Sequence, residues 1–188
     1  MARKTSVKEV IDRAALELFV KQGVTETSIK DIARQAGVSQ GAMYNHYVSK
    51  EELAWTLWSE NFAEIGNELR QRARENKDLA AKLRSMIRLV FERFDQDWML
   101  VTFVFLTRHQ FLSRVTPRME NPYISFRSVI SVAMRSGQLP RQDVDLATSM
   151  VTGAIIQVID NKILGRIGGR LATAADKVAA ACIRFLGG

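Results

Sequence analysis

Residues 27–50 read Thr-Ser-Ile-Lys-Asp-Ile-Ala-Arg-Gln-Ala-Gly-Val-Ser-Gln-Gly-Ala-Met-Tyr-Asn-His-Tyr-Val-Ser-Lys, two short helical patterns joined by Ala36-Gly37-Val38 with a third helix start at Ser49. Thr27 is placed to cap the first pattern, whose apolar face is Ile29, Ile32, Ala33 and Ala36. Gly37 supplies the left-handed backbone that stops this helix and turns the chain. Ser39 then caps a second helix that carries Met43 and Tyr47 inward, four residues apart. Two helices joined by a tight turn containing glycine make a helix-turn-helix, whose second helix can enter the DNA major groove.

A helical hairpin of this size can also be mere scaffold, and the outward face of the second helix decides between the two. That face is Gln40, Gly41, Ala42, Tyr44, Asn45 and His46. Gln and Asn can bond adenine in bidentate fashion, Ala can touch a thymine methyl, and Gly lets the backbone approach DNA closely. A purely solvated face carries Glu and Lys more often than this set.

The order of these residues resembles the DNA-binding domain of the TetR family of bacterial transcriptional repressors. The resemblance runs from Val7 to about Leu57, with Thr27, Ile32-Ala33, Ala36-Gly37-Val38, Tyr44, His46 and Ser49-Lys50-Glu51 in register. It implies that Gln40, Gly41, Ala42, Tyr44, Asn45 and His46 face DNA, with Ser28 and Ser39 beside them, and that Thr27, Tyr44 and Lys50 hold the DNA backbone. Tyr47 stands where Phe is commoner. Beyond residue 60 the family shares little sequence, so there the resemblance implies architecture and no chemistry.

Upstream, Val7, Val10, Ile11, Ala14, Ala15, Leu18 and Phe19 form one apolar stripe on a charged helix, and Gly23 follows as its stop. Arg3, Lys4 and Lys8 open this segment and could reach phosphates or simply be solvated. Downstream, Ser49 with Glu52 three residues on reads as a capping box, and Val48 with Leu53 as a hydrophobic staple.

The composition fits one small head and a larger body. Hydrophobic residues make up 47% of the 188 and charged residues 25%, with a net charge of +7. Residues 1–50 hold eight Lys or Arg against five acids, and residues 51–188 nineteen against fifteen, so the excess is spread rather than gathered in a tail. Such a charge suits a polyanion-binding protein without proving one. The single Cys182 rules out an internal disulfide and a Cys-rich zinc site. No signal peptide is evident, and the longest near-apolar run, Trp98–Leu106, is too short for a bilayer, so a cytoplasmic location is expected.

The body reads as helices throughout. A long helix from Lys50 to about Arg74 carries Leu53, Leu57, Trp58, Ile65 and Leu69 and is the natural link between head and body. Asp78 caps a helix to about Asp95, and Asp97 caps one expected from Trp98 to Arg114. The stretch 98–106 has strand propensity but no partner strand, so its backbone can be satisfied only as helix. Asn121 and Pro122 open a helix to Arg135, Asp143 one to Leu164, and Thr173 a last one through Leu186.

Fold class is therefore all-α, with a helix-turn-helix head at residues 1–49 and an effector-binding and dimerisation body at 50–188. Small residues in the last two helices (Gly153, Ala154, Ala179, Ala180, Ala181) allow either ordinary packing or, as the resemblance implies, pairing with their twins in a homodimer. The aromatic surplus of the middle helices fills a core or, again by resemblance, lines an effector pocket. Candidates are Trp58, Phe62, Phe91, Phe103, Tyr123 and Phe126, with Arg108 and His109 as polar anchors. No cofactor or metal is called for, and Arg108, His109 and Cys182 show no spacing that suggests an enzyme. The expected function is a repressor that binds a palindromic DNA operator and is released by a small, mostly apolar effector. The alternative is a DNA binder, sequence-specific or architectural, that answers to no ligand.

Overall fold

A computed structural model of the protein describes residues 6–187. Every regular element among them is helical, as the patterning requires. No helix among them is long and apolar enough to cross a membrane. The chain divides into two compact units, Met1–Asn61 with Thr102–Ser113, and Phe62–Val101 with Arg114–Gly188. The division at residue 49/50 follows function rather than compactness and remains a proposal.

The first unit holds α1 (Val7–Glu26), α2 (Ile29–Ala36), α3 (Gln40–Tyr44) and the opening turns of α4 (Lys50–Arg74). Gly23, at φ 86° and ψ 160°, breaks the regular helix of α1 where the sequence placed a stop. Ile11, Ala15, Phe19, Ile32, Met43, Leu53 and Trp58 are almost fully buried. Residues 102–113 complete this core: Phe103 stacks on Phe19 at 5.7 Å between ring centroids and Phe111 on Trp58 at 5.3 Å. Trp58 could not be buried without a partner for its indole N–H, which donates to the Val104 carbonyl at 2.8 Å.

The sixth helix is shorter than its expected span. α6 runs from Trp98 to Leu106 and gives way to two 3-10 turns, Arg108–Gln110 and Leu112–Arg114. The Thr107 hydroxyl donates to the Phe103 carbonyl at 2.5 Å and the Arg108 guanidinium to that of Phe105 at 2.5 Å. These side chains bond carbonyls in the last turn, two of the acceptors that a helix end leaves open.

The second unit is built around α5 (Leu79–Gln96), capped by Asp78 through the Ala81 N–H at 2.8 Å. It packs against α7 (Pro122–Arg135) and α9 (Ala175–Gly187), while α8 (Val144–Ile163) lies against both α7 and α9. Leu83, Met86, Ile87, Val90 and Phe91 supply its buried face. The second half of α4 meets α7 at Gly66, where a Cβ would come within 2.6 Å of the Asn121 backbone. The Ser125 hydroxyl seals this crossing by donating to the Gly66 carbonyl at 2.8 Å.

Asn121 and Asp143 cap their helices as expected, through the N–H groups of Ile124 and Leu146, both at 3.0 Å. Thr173 does not cap the last helix. Its hydroxyl donates to the Arg170 carbonyl at 2.6 Å inside a 3-10 turn, Leu171–Ala174, and α9 begins at Ala175. The free N–H groups of that turn go instead to Asp95, far away in sequence, which accepts from Leu171 at 2.8 Å and Ala172 at 2.9 Å.

Candidate nucleic-acid interface

The approach of α2 to α3 is set by local chemistry. Ser28, not Thr27, is the N-cap of α2 and accepts the Asp31 N–H at 3.1 Å. Thr27 is buried and donates its hydroxyl to the Gly23 carbonyl at 2.7 Å, so it closes α1 instead of opening α2. The hydroxyl of Ser28, and then Arg34, hold the Asp31 carboxyl below the usual carboxylate range. Gly37 adopts φ 67°, ψ 29°, and returns its N–H to the Ala33 and Arg34 carbonyls. Ser39 accepts the Ala42 N–H at 3.1 Å and starts α3.

Behind α3, Met43 and Tyr47 are buried as the four-residue spacing requires. The Tyr47 hydroxyl donates to Asp12 at 2.5 Å, and Lys8 donates to the same carboxylate at 2.8 Å while its ammonium lies 5.5 Å from the Tyr47 ring centre. Gln35 donates to Glu17 at 2.8 Å and ties α2 to α1. These polar ties to α1 are not evident in the sequence. The Lys8/Asp12 spacing of four is the available signal, but nothing local points it at Tyr47. Lys8 is thus engaged within the head. Arg3 and Lys4, the other basic residues of the segment, lie outside the described residues.

On the opposite side, Gln40, Gly41, Tyr44, Asn45 and His46 are exposed, Tyr44 by 56%, and Ala42 is half-buried. Ser28 and Ser39 are exposed at the two helix starts. An exposed tyrosine and a run of amides over a solid apolar floor form a face that can meet bases without disturbing the core. No acidic residue occurs between Val38 and Glu51.

The start of α4 differs from expectation in two respects. Ser49 does accept the Glu52 N–H at 3.1 Å, but the Glu52 carboxylate takes the Val48 N–H at 3.1 Å. Val48 is 77% exposed, so no staple forms with the buried Leu53. Lys50 donates to the Thr25 carbonyl at 3.0 Å, which pins the start of α4 to the last turn of α1.

The body candidates fall in both units. In the first, Trp58 and Phe103 are fully buried, Arg108 is half-buried against the Phe105 carbonyl, and His109 is exposed. In the second, Phe62, Phe91 and Phe126 are buried, while half-buried Tyr123 donates to Asp145 at 2.7 Å.

Comparison with known proteins agrees with this geometry. The profile of bacterial regulatory proteins of the tetR family matches residues 11–54. A putative mycofactocin biosynthesis transcriptional regulator, MftR of Mycobacterium tuberculosis, is 31% identical over 147 residues, 72% of this chain and 68% of that protein. The regulator AcrR of Shigella flexneri is 38% identical over 98 residues, 49% of this chain and 46% of its own length. Among solved structures, the fatty acid degradation regulator FadR of Bacillus halodurans superposes with a TM-score of 0.81 at 19% identity, covering 96% of each chain. FadR of Bacillus subtilis, solved in complex with stearoyl-CoA, gives 0.80 at 20% identity, over 93% of this chain and 96% of its own.

The helical body and the exposed face of α3 define a helix-turn-helix, DNA-binding transcriptional regulator. The chain belongs to the TetR family of bacterial regulatory proteins.

Proposed function

We propose that this regulator is a homodimeric repressor that reads a palindromic operator and leaves it when a mostly apolar small molecule binds the body. The carrying observation is the exposed row Gln40, Gly41, Tyr44, Asn45 and His46 over buried Met43 and Tyr47. Gln40, Ala42 and Asn45 read base edges, while Ser28, Ser39, Tyr44 and Lys50 hold the DNA backbone. Thr27 contributes through the turn it closes.

One five-residue helix offers little surface to a duplex, and a twofold dimer doubles it. Support for dimerisation comes from α8 and α9, where Leu146, Met150 and Phe185 are exposed beside an apolar groove of about 300 Å³ lined by Val151, Ala154, Ala181 and Cys182. Large apolar side chains in one patch mark an interaction surface.

The stearoyl-CoA complex of a structural relative supports an effector of largely apolar character. An effector lowers operator affinity only by as much as it prefers the state that does not bind DNA, a coupling of roughly 1–3 kcal/mol. The test is fluorescence anisotropy on DNA from upstream of the chain's own gene, titrated with acyl-CoA esters of increasing chain length. Affinity for one palindrome, lost on adding ligand and retained on random competitor, is the expected result. Arg108→Ala should abolish release while leaving DNA binding within about twofold, or 0.4 kcal/mol. Operator affinity indifferent to every ligand would instead identify a ligand-independent DNA binder.

A further inference from the structure

The head carries an apolar side chain that neither its core nor the row on α3 accounts for. Val48, between the reading helix and α4, is 77% exposed, more than any other large apolar side chain among the described residues. A single exposed valine is ordinary in itself. The fixing of this one and its surroundings are not.

Its backbone is held on both sides. Upstream, the N–H groups of His46 and Tyr47 both donate to the Met43 carbonyl at 3.0 Å, so the helical turn continues past the end of α3 at Tyr44. Tyr47, the residue before it, is buried and bonded through its hydroxyl to Asp12. Downstream, the Val48 N–H donates to the Glu52 carboxylate and the Ser49 hydroxyl accepts the Glu52 N–H, each at 3.1 Å. A β-branched side chain on a fixed backbone has few rotamers to choose from, so it loses little entropy when a surface closes on it.

The surroundings are those of the reading face. Val48 follows Tyr44 by four residues, the spacing at which the continued turn sets two side chains on one side, and Tyr44 is 56% exposed. Exposed Asn45 and His46 lie between them, and Lys50 follows two residues on. No carboxylate precedes Glu51 in this stretch, and that of Glu52 is occupied by the Val48 N–H. An apolar group presented rigidly beside amides, hydroxyls and a cation is complementary to the one apolar feature of the major groove, the thymine methyl.

We infer that Val48 is a specificity-determining residue that packs on a thymine 5-methyl group at the edge of the bases read by α3. The inference rests on the proposed reading by α3, and on neither the dimer nor the effector response.

The test uses the full chain and an operator enriched by it from random duplex DNA. Each thymine is replaced singly by deoxyuridine, which lacks only the 5-methyl group, and affinity is read by fluorescence anisotropy. At a thymine on the edge of the site, this change should weaken the parent chain about fourfold, the worth of one buried methyl group, and leave Val48→Ser unaffected. Val48→Ser should lose the same factor on the thymine operator and nothing on random DNA, with an unchanged melting midpoint because the side chain stands in solvent. Val48→Ile should restore the response to the methyl group. Val48→Ser binding the operator as the parent does would overturn the proposal. So would an equal loss on random DNA, which marks a backbone contact, or a loss that persists on every deoxyuridine duplex. Q40A tests the reading by α3 separately: if it loses base preference while Val48→Ser does not, the Val48 assignment alone falls.

Discussion

Tyr47 turns its ring under α3 and donates its hydroxyl to Asp12, so the side chain that fills the head's core also fixes the angle of the reading helix against α1. Burial, and then the Asp12 carboxylate, push its pKa up to about 12. A tyrosine whose folded pKa is raised stabilises the fold fully below its ordinary value near 10, and that contribution is lost as pH climbs from there through 12. The melting-temperature difference between the parent chain and Tyr47→Phe should therefore be constant below pH 9 and shrink towards pH 12. A pH-independent difference would mean that the hydroxyl is not the titrating contact. On the outer face, Gln40→Ala and Asn45→Ala should each cost on the order of 1–3 kcal/mol on the operator and relax base preference. Gly41→Ala gives a cleaner reading, because its new Cβ would meet nothing nearer than the Ser39 hydroxyl oxygen at 3.7 Å. Its melting temperature should not fall, while operator affinity should, if the backbone approaches DNA there. Equal losses on operator and random DNA in all three variants would remove the base-reading roles.

At the scale of elements, α4 and α7 are held at one crossing. Gly66 sits there because any Cβ would come within 2.6 Å of the Asn121 backbone, and backbone cannot swing aside as a flexible side chain can. Gly66→Ala should destabilise the fold by about 1–3 kcal/mol, the ordinary range for overpacking, although alanine is the better helix former. Chemical denaturation should show this as a lower midpoint at unchanged slope. A neutral or stabilising result would show that the two helices can separate without loss. The same reasoning makes Asp95 a joint between elements, since its carboxylate supplies the cap expected of Thr173.

For the whole molecule, association is the open variable. Gly153 is exposed on α8, and nothing lies within 4 Å of the point where a Cβ would stand, so Gly153→Trp has open space within the single chain. Any effect of that change reads association directly. Sedimentation should show the parent chain as a dimer at micromolar concentration and Gly153→Trp as a folded monomer with weak operator binding. Dimers of both would move the interface away from this part of α8. In a bound dimer the two copies of α3 should lie about 34–36 Å apart, one turn of the duplex or a near multiple.

Some features of this protein are determined within a few residues, and those are legible in the chain. The stop at Gly37, the caps at Ser39, Asp78, Asn121 and Asp143, and the split of residues 40–47 into a buried Met43/Tyr47 side and an exposed Gln40/Tyr44/Asn45 side all follow from local dihedral preference and spacing. The family resemblance reaches the same head from the same residues. Other features require partners distant in sequence or a path the local pattern does not fix. Threonine suits a cap at position 27, but burial gives the Thr27 hydroxyl to the Gly23 carbonyl and leaves the cap to Ser28. Val48 and Leu53 have the spacing of a staple, yet the path of the chain leaves Val48 in solvent. The early end of α6 and the Asp95 cap depend on where carbonyls and N–H groups meet in the folded chain. Periodicity tells which side of a helix is apolar, but only tertiary packing decides what that side, and each polar group beside it, will face.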